Sequence, residues 1–234
     1  MSQSLSNADF ISGTVLLFDK PLDWTSFDLV NKVRTSICHT IHQKKLKVGH
    51  AGTLDPKATG LVIICTGKAT KTIDLIQAEE KEYIATLKLG ATTPSYDLEK
   101  EEDQFFPTEH VTRELIEEKL KNFIGEINQV PPIFSAIRVN GKRAFDFARG
   151  GKELELSSRK ITIKEITIEK FELPELVLKI SCSKGTYIRS LARDLGESLE
   201  CGAYLIGLIR TRIGDYTLEN AWTLENFKKS LDSM

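Results

Sequence analysis

No apolar run in this chain is longer than five residues. The longest, LVIIC at residues 61–65, is far short of the roughly twenty needed to cross a bilayer as a helix. The first ten residues are polar and carry no basic-then-apolar pattern, so a secretory leader is not expected and the cytoplasm is the expected location. Cysteine is sparse, with four residues at positions 38, 65, 182 and 201. No two have the CxxC spacing of a zinc ribbon or a thioredoxin-like redox pair. Cys65 and Cys182 stand in apolar, strand-like surroundings and read as small buried hydrophobes of a reducing compartment. Metal-ligand spacings and a glycine-rich phosphate loop are also missing, so no metal and no other cofactor is expected.

What is present is an ordinary soluble composition: 234 residues, 41% hydrophobic and 28% charged. A chain of this length can bury a core without disulfide or metal staples. The net charge of −1 says nothing of a polyanionic partner, but the distribution does. Residues 32–71 hold eight Lys or Arg and one acid, Asp55. Residues 134–164 hold eight basic residues against three acids, whereas residues 97–120 reverse the balance with nine acids against three bases. Basic segments that converge in space would form a phosphate-binding face; ordinary solvated surface is the competing account.

Periodicity predicts an α+β fold on a largely antiparallel sheet, because strands outnumber helices and do not alternate with them evenly. Strands are expected at residues 13–19, 61–65, 83–89, 161–171 and 176–183, and at 203–213, where the pattern is less decisive. Helices are expected after Thr25 and Ser26, with Phe27, Val30, Val33 and Ile37 on the apolar face. Further helices are expected at 67–77 with Ala69, Ile73 and Ile76 inward, at 111–123, at 187–199 with Thr186 near its start, and at 222–231. Residues 48–60 read as loop, and 97–103 as a solvated acidic loop. The segment VPPIFSAIRVNGKRAFDFARGG, with its double proline and Asn140-Gly141 hairpin signal, reads as an excursion from the core.

Three segments carry chemistry. In residues 49–60, glycines allow close backbone approach, and Pro56 pushes Asp55 out of the helical region. Asp55 is thus a carboxylate on a stiffened loop in positive surroundings, which favour its ionised form. That state suits a nucleophile or charge stabiliser; an Asp-Pro turn without chemistry fits the same spacing. In residues 181–190, Arg189 falls in the first turn of a helix, against the dipole, which points to an anionic partner unless it is a plain surface residue. In the excursion, Arg138, Lys142, Arg143 and Arg149 interleave with phenylalanines, a mixture that suits phosphates and bases or equally an amphipathic flap.

Five stretches in order resemble the TruB family, the enzymes that make pseudouridine at position 55 in the TΨC loop of tRNA: GTVLLFDKPLDWTSFDLVNKVR, VGHAGTLDPKATGLVIICTGKATK, KEYIATLKLGATTPSYD, the excursion, and CSKGTYIRSLARDLGESLECGAYL. The resemblance spans residues 13–231. It implies a pseudouridine synthase fold, a central mixed, largely antiparallel sheet flanked by helices and loops. A flexible stretch at residues 1–12 and one catalytic domain at 13–234 are expected, with an RNA-contacting insertion at about 130–158 and no separate C-terminal RNA-binding domain.

By the same resemblance, Asp55 matches the catalytic aspartate and Arg189 the arginine that pairs with it. Tyr83 matches the tyrosine stacked on the target uracil. Tyr187, Lys20 and Leu208 match residues lining the uridine pocket, His50 the histidine that holds the T-loop, and Arg138, Lys142, Arg143 and Arg149 RNA contacts. The implied reaction is an isomerisation on a flipped uridine, needing no cofactor or metal, with the T-arm of tRNA as partner and a monomer as the working form. Three positions depart from the pattern. Asp23 stands for the usual glycine after Lys20-Pro21, so the turn is expected to differ and to bring a negative charge near RNA. Arg138 replaces a lysine, and Ile209 replaces a common basic residue. A tRNA-binding protein without catalysis and a carboxylate-dependent glycosidase are the rival readings. The set Asp55, Tyr83 and Arg189 disfavours the first, and the absence of a second acid near Asp55 disfavours the second.

Overall fold

The computed structural model describes residues 5, 8–135, 138–139, 142–143 and 156–233. In chain order the elements are β1 (Val15–Lys20), α1 (Ser26–Thr40), β2 (Val48–His50), β3 (Thr59–Thr66), a 3₁₀ turn (Gly67–Thr72), α2 (Ile73–Ala78), β4 (Lys81–Leu89), β5 (Ala91–Thr92), β6 (Gln104–Phe105), α3 (Arg113–Leu120), β7 (Gly125–Gln129), β8 (Arg138–Val139), β9 (Lys142–Arg143), β10 (Arg159–Glu172), β11 (Glu175–Cys182), α4 (Ile188–Ser198), β12 (Ala203–Ile213), β13 (Tyr216–Thr217) and α5 (Leu224–Asp232). The chain divides into two compact units, one of residues 1–83 and 208–234, the other of residues 84–207. Strands outnumber helices and do not alternate with them evenly, as the α+β reading requires. Among the described residues no helix is long and apolar enough to cross a membrane.

The first unit is built on a mixed sheet. β3 pairs antiparallel with β1 and with β2, and parallel with β12 through Ile209↔Thr59 and Arg210↔Gly60. β3 is buried along nearly its whole length, which accounts for its unbroken apolar run. One face packs Leu17, Leu61, Ile63 and Cys65 with Ile76 and Ile213, joined by Ala69 and Ile73 as the sequence pattern anticipates. Elsewhere in the unit, Phe18 of β1 meets Phe227 of α5 edge-on at 4.8 Å. Thr25 caps α1 in a reciprocal capping box with Asp28, worth about 1 kcal/mol.

On α1, Val30, Val33 and Ile37 face inward as predicted, and one predicted position departs. Ser26, Leu29, Val30, Val33 and Ile37 are buried, while Phe27 is 64% exposed. Ser26 must face inward because its hydroxyl serves the Asp55 loop, and this turns Phe27 outward. Residues 48–60, read as loop throughout, instead supply β2 and the start of β3, because pairing to a buried strand overrides their glycine content.

The second unit is antiparallel: β10 pairs with β7 and with β11. Leu176, Leu178, Ile180 and Cys182 are buried at alternate positions of β11, and the later part of β4 alternates in the same way with Ala85, Leu87 and Leu89 inward. Ile188, Leu191, Ala192 and Leu195 of α4 are also buried. Thr186 does not cap α4. Tyr187 occupies the cap position, and the Thr186 hydroxyl donates to the Ser183 carbonyl at 3.0 Å. In the excursion, β8 and β9 pair through Arg138↔Arg143 and Val139↔Lys142 on either side of the Asn-Gly signal.

Candidate active site

Asp55 lies between β2 and β3, on a loop fixed from several sides within the first unit. The Ser26 hydroxyl accepts from the Leu54 amide at 2.8 Å and donates to the Leu54 carbonyl at 3.1 Å. The Ala51 amide donates to Ile63, and the Ala58 amide to the Asp55 carbonyl at 3.1 Å. Arg210, only 1% exposed, closes the loop from β12. Its Nε donates to the Leu61 carbonyl at 2.7 Å, Nη1 to Thr53 at 3.2 Å and Nη2 to Gly52 at 3.1 Å. A guanidinium presents donors in a rigid planar fork, so three carbonyls are held in one plane. Gly60 permits this approach: at φ +103 it runs so close to β12 that a Cβ would sit 2.4 Å from the Arg210 carbonyl oxygen. Asp55 itself is half-buried, reachable by a ligand while its backbone is held.

Lys20, fully buried, sits at the same loop. Its ammonium donates to the carbonyls of Trp24 at 2.7 Å, Pro21 at 2.8 Å and Pro56 at 3.4 Å. Burial pushes its pKa down to about 8, against upward pulls from Asp55, Asp23 and Asp19 and with a further push down from Arg210. Above the folded-state value the folded chain has released a proton that the unfolded chain keeps until about 10.5, so stability gains with pH in that window. The unfolding free energy of the wild type relative to Lys20→Met, read by urea titration, is therefore expected to rise between pH 8 and pH 10.5; a flat difference contradicts this burial.

The turn after Lys20 absorbs the departure at Asp23. Asp23 adopts φ 64, the left-handed region that favours glycine. Its amide donates to the Pro56 carbonyl at 2.9 Å, and its carboxylate pairs with Lys57 at 2.8 Å. The glycine-like turn is therefore kept, and the added negative charge has a cation beside it.

His50 ends β2. Among the described residues its buried Nδ1 has no hydrogen-bond partner. Burial lowers its pKa, an effect opposed by the Gly52 backbone and reinforced by Arg210, so the ring is neutral at pH 7. Tyr83 on β4 is buried and Leu208 on β12 half-buried. Ile209 is 39% exposed.

In the second unit Arg189 lies in the first turn of α4, buried, where the sequence places it. It pairs with Asp97 at 3.4 Å and donates to the carbonyls of Phe134 at 2.8 Å and Ser95 at 3.4 Å. Asp97 is thus buried and does not belong to the solvated acidic loop in which the sequence pattern puts it. The oxygens around Arg189 come from residues distant from it in sequence. Gln129 was also invisible to pattern reading. Its side chain grips the Tyr187 backbone at both ends, accepting from the amide at 2.8 Å and donating to the carbonyl at 3.1 Å. Of the RNA-contact candidates, Arg138, Lys142 and Arg143 lie on the β8–β9 pair, and Arg149 lies outside the described residues.

Sequence reasoning missed Arg210 and the second role of Ser26. An Arg directly after the largely apolar stretch of residues 203–209 was the available signal for the first; Ser26 was read only as a helix start.

Comparison with known proteins completes the picture. The model for the N-terminal domain of the TruB family pseudouridylate synthases matches residues 39–188, and that for the C-terminal domain of tRNA pseudouridylate synthase B matches residues 189–233. A tRNA pseudouridine synthase B of Phocaeicola vulgatus is 60% identical over 224 residues, 96% of this chain and 95% of that protein. One from Parabacteroides distasonis is 58% identical over the same shares. Among solved structures, a Cbf5–Nop10–Gar1 complex aligns with a TM-score of 0.69 at 27% identity over 94% of this chain. The chain spans about half of that neighbour, 54% of its length. With both domain models matched in sequence and relatives nearly identical in extent, the chain belongs to the TruB family of pseudouridylate synthases.

Proposed function

We propose that this protein converts uridine 55 in the TΨC loop of tRNA to pseudouridine, with Asp55 as the catalytic carboxylate. The observation that carries this reading is the Asp55 loop: a ligand-accessible carboxylate whose flanking backbone is immobilised by Arg210, Ser26 and Lys20. Such preorganisation is what a positioned nucleophile needs, and a turn aspartate without chemistry does not need it.

A uridine in a folded T-loop exposes neither C1′ nor C5, so it must leave its stack. Asp55 then breaks the glycosidic bond, by attack on C1′ or by taking the C2′ proton to leave a glycal. The freed uracil turns and bonds to C1′ through C5, and loss of the C5 proton completes the isomerisation. Tyr83 is assigned to hold the uracil, and Tyr187, Lys20 and Leu208 to line its pocket. Neutral His50, whose Nδ1 has no partner among the described residues, is assigned to the T-loop, and Arg138, Lys142, Arg143 and Arg149 to RNA phosphates. Arg189 is assigned to turnover: Arg189→Ala is expected to lose it by a factor on the order of 10³ or more, as removal of a group acting at developing charge does. tRNA affinity should fall far less; the reverse pattern would make Arg189 a phosphate contact.

The assignment is tested with a tRNA transcript tritiated at uridine C5. One equivalent of tritium release per tRNA is expected, and none from a transcript carrying cytidine at position 55. Release that ignores that substitution would defeat the assignment to position 55.

A further inference from the structure

The cations at the end of α1 and in the segment after it take no part in the site described above. Residues 29–54 contain no Asp or Glu, yet they hold Lys32, Arg34, Lys44, Lys45 and Lys47 with His39 and His42. Arg34, His39, Lys44 and Lys45 line one open cleft of about 630 Å³, with Cys38 and Leu46 supplying apolar surface. Arg34 is steadied by the Asn31 side chain, a neutral partner. Among the described residues no ion pair involves Arg34, Lys44, Lys45 or Lys47.

Clustered like charges cost self-repulsion unless an anion neutralises them, and a concave wall focuses their field. The cleft is also tied to the Asp55 framework. The Gly67 amide donates to the Lys47 carbonyl at 2.8 Å, Val48 pairs with Thr66 of β3, and β2 ends at His50, five residues before Asp55. The ten residues from Lys45 to Asp55 span at most ~35 Å even fully extended.

We infer that this cleft is a phosphate-binding surface for the backbone of the tRNA that presents the target uridine. The inference rests on the proposed function for the identity of the polyanion. Lysine point charges and an Arg fork recognise phosphates without reading bases. The cleft would therefore add affinity and register to every tRNA alike and leave the chemistry to Asp55.

The test is binding of full-length tRNA and of an isolated T-arm stem-loop to Lys44→Ala/Lys45→Ala across 50–200 mM salt. Each lost phosphate contact lowers the steepness of log K against log salt by about 0.7–0.9, so a fall of roughly 1.4–1.8 is expected for two. A tRNA affinity loss of at least tenfold should accompany it, with turnover at saturating tRNA within about twofold of wild type. Lys121→Ala/Lys228→Ala, which removes two exposed charges elsewhere, should leave both quantities unchanged. The inference is overturned if the cleft variant keeps the wild-type slope and affinity on both RNAs, or if the distal variant loses as much. Loss on full-length tRNA alone places the contact outside the T-arm and supports it. Absent product with cleft-dependent binding would sink the catalytic reading and keep the cleft; normal product with tRNA binding that ignores the cleft substitutions would do the reverse.

Discussion

Asp55→Asn is expected to abolish pseudouridine formation, with a loss on the order of 10⁴-fold or more, the scale seen when an enzyme loses its nucleophile. Asparagine has nearly the same shape, and the contacts that fix this loop are made by backbone groups of Gly52, Thr53, Leu54 and Pro56. The fold should therefore survive, with melting temperature and tRNA affinity close to wild type. Single-turnover assays on the tritiated transcript, beside a filter-binding titration, separate the two effects. Wild-type-like turnover by the Asn variant would remove Asp55 from the chemistry.

The second large effect is expected at Arg210. Arg210→Met fills much of the same volume but leaves the carbonyls of Leu61, Thr53 and Gly52 without these donors. A buried group stripped of its partner costs about 1–3 kcal/mol, so three together amount to roughly 3–9 kcal/mol of a total that is commonly about 5–15. At about 2–4 °C per kcal/mol for a chain of this size, a fall in melting temperature of about 6 °C or more follows. Arg210→Lys is the sharper variant. It keeps a cation but not the fork, so it should retain more stability while the Asp55 loop loses its fixed position. Misplacing a reacting group by about 1 Å can cost 10²-fold, and a loss of that order in the single-turnover rate is expected at little change in tRNA affinity. A wild-type rate in the Lys variant would mean that Ser26 and Lys20 suffice to hold the loop.

Much of this was legible in the chain itself. Period-2 alternation in β4 and the Thr25 start of α1 emerged where expected because both are local: one depends on pleat geometry, the other on a side chain reaching an amide three residues on. The TruB motifs single out Asp55, Tyr83 and Arg189, since motif order is carried by the chain without regard to packing. Readings failed where a distant partner decided the outcome. Phe27 points outward because Ser26 is claimed by Leu54, 28 residues away. Asp97 is buried because Arg189 meets it from 92 positions further along the chain.

The sequence by itself determined the family, the α+β class and the carboxylate in its basic surroundings, because composition, periodicity and motif order are properties of the chain. Only the tertiary structure decided how that carboxylate is held. Three carbonyls converge on Arg210 from residues 149 to 158 positions away, and hydrogen-bond geometry at that separation leaves no periodic trace in the sequence.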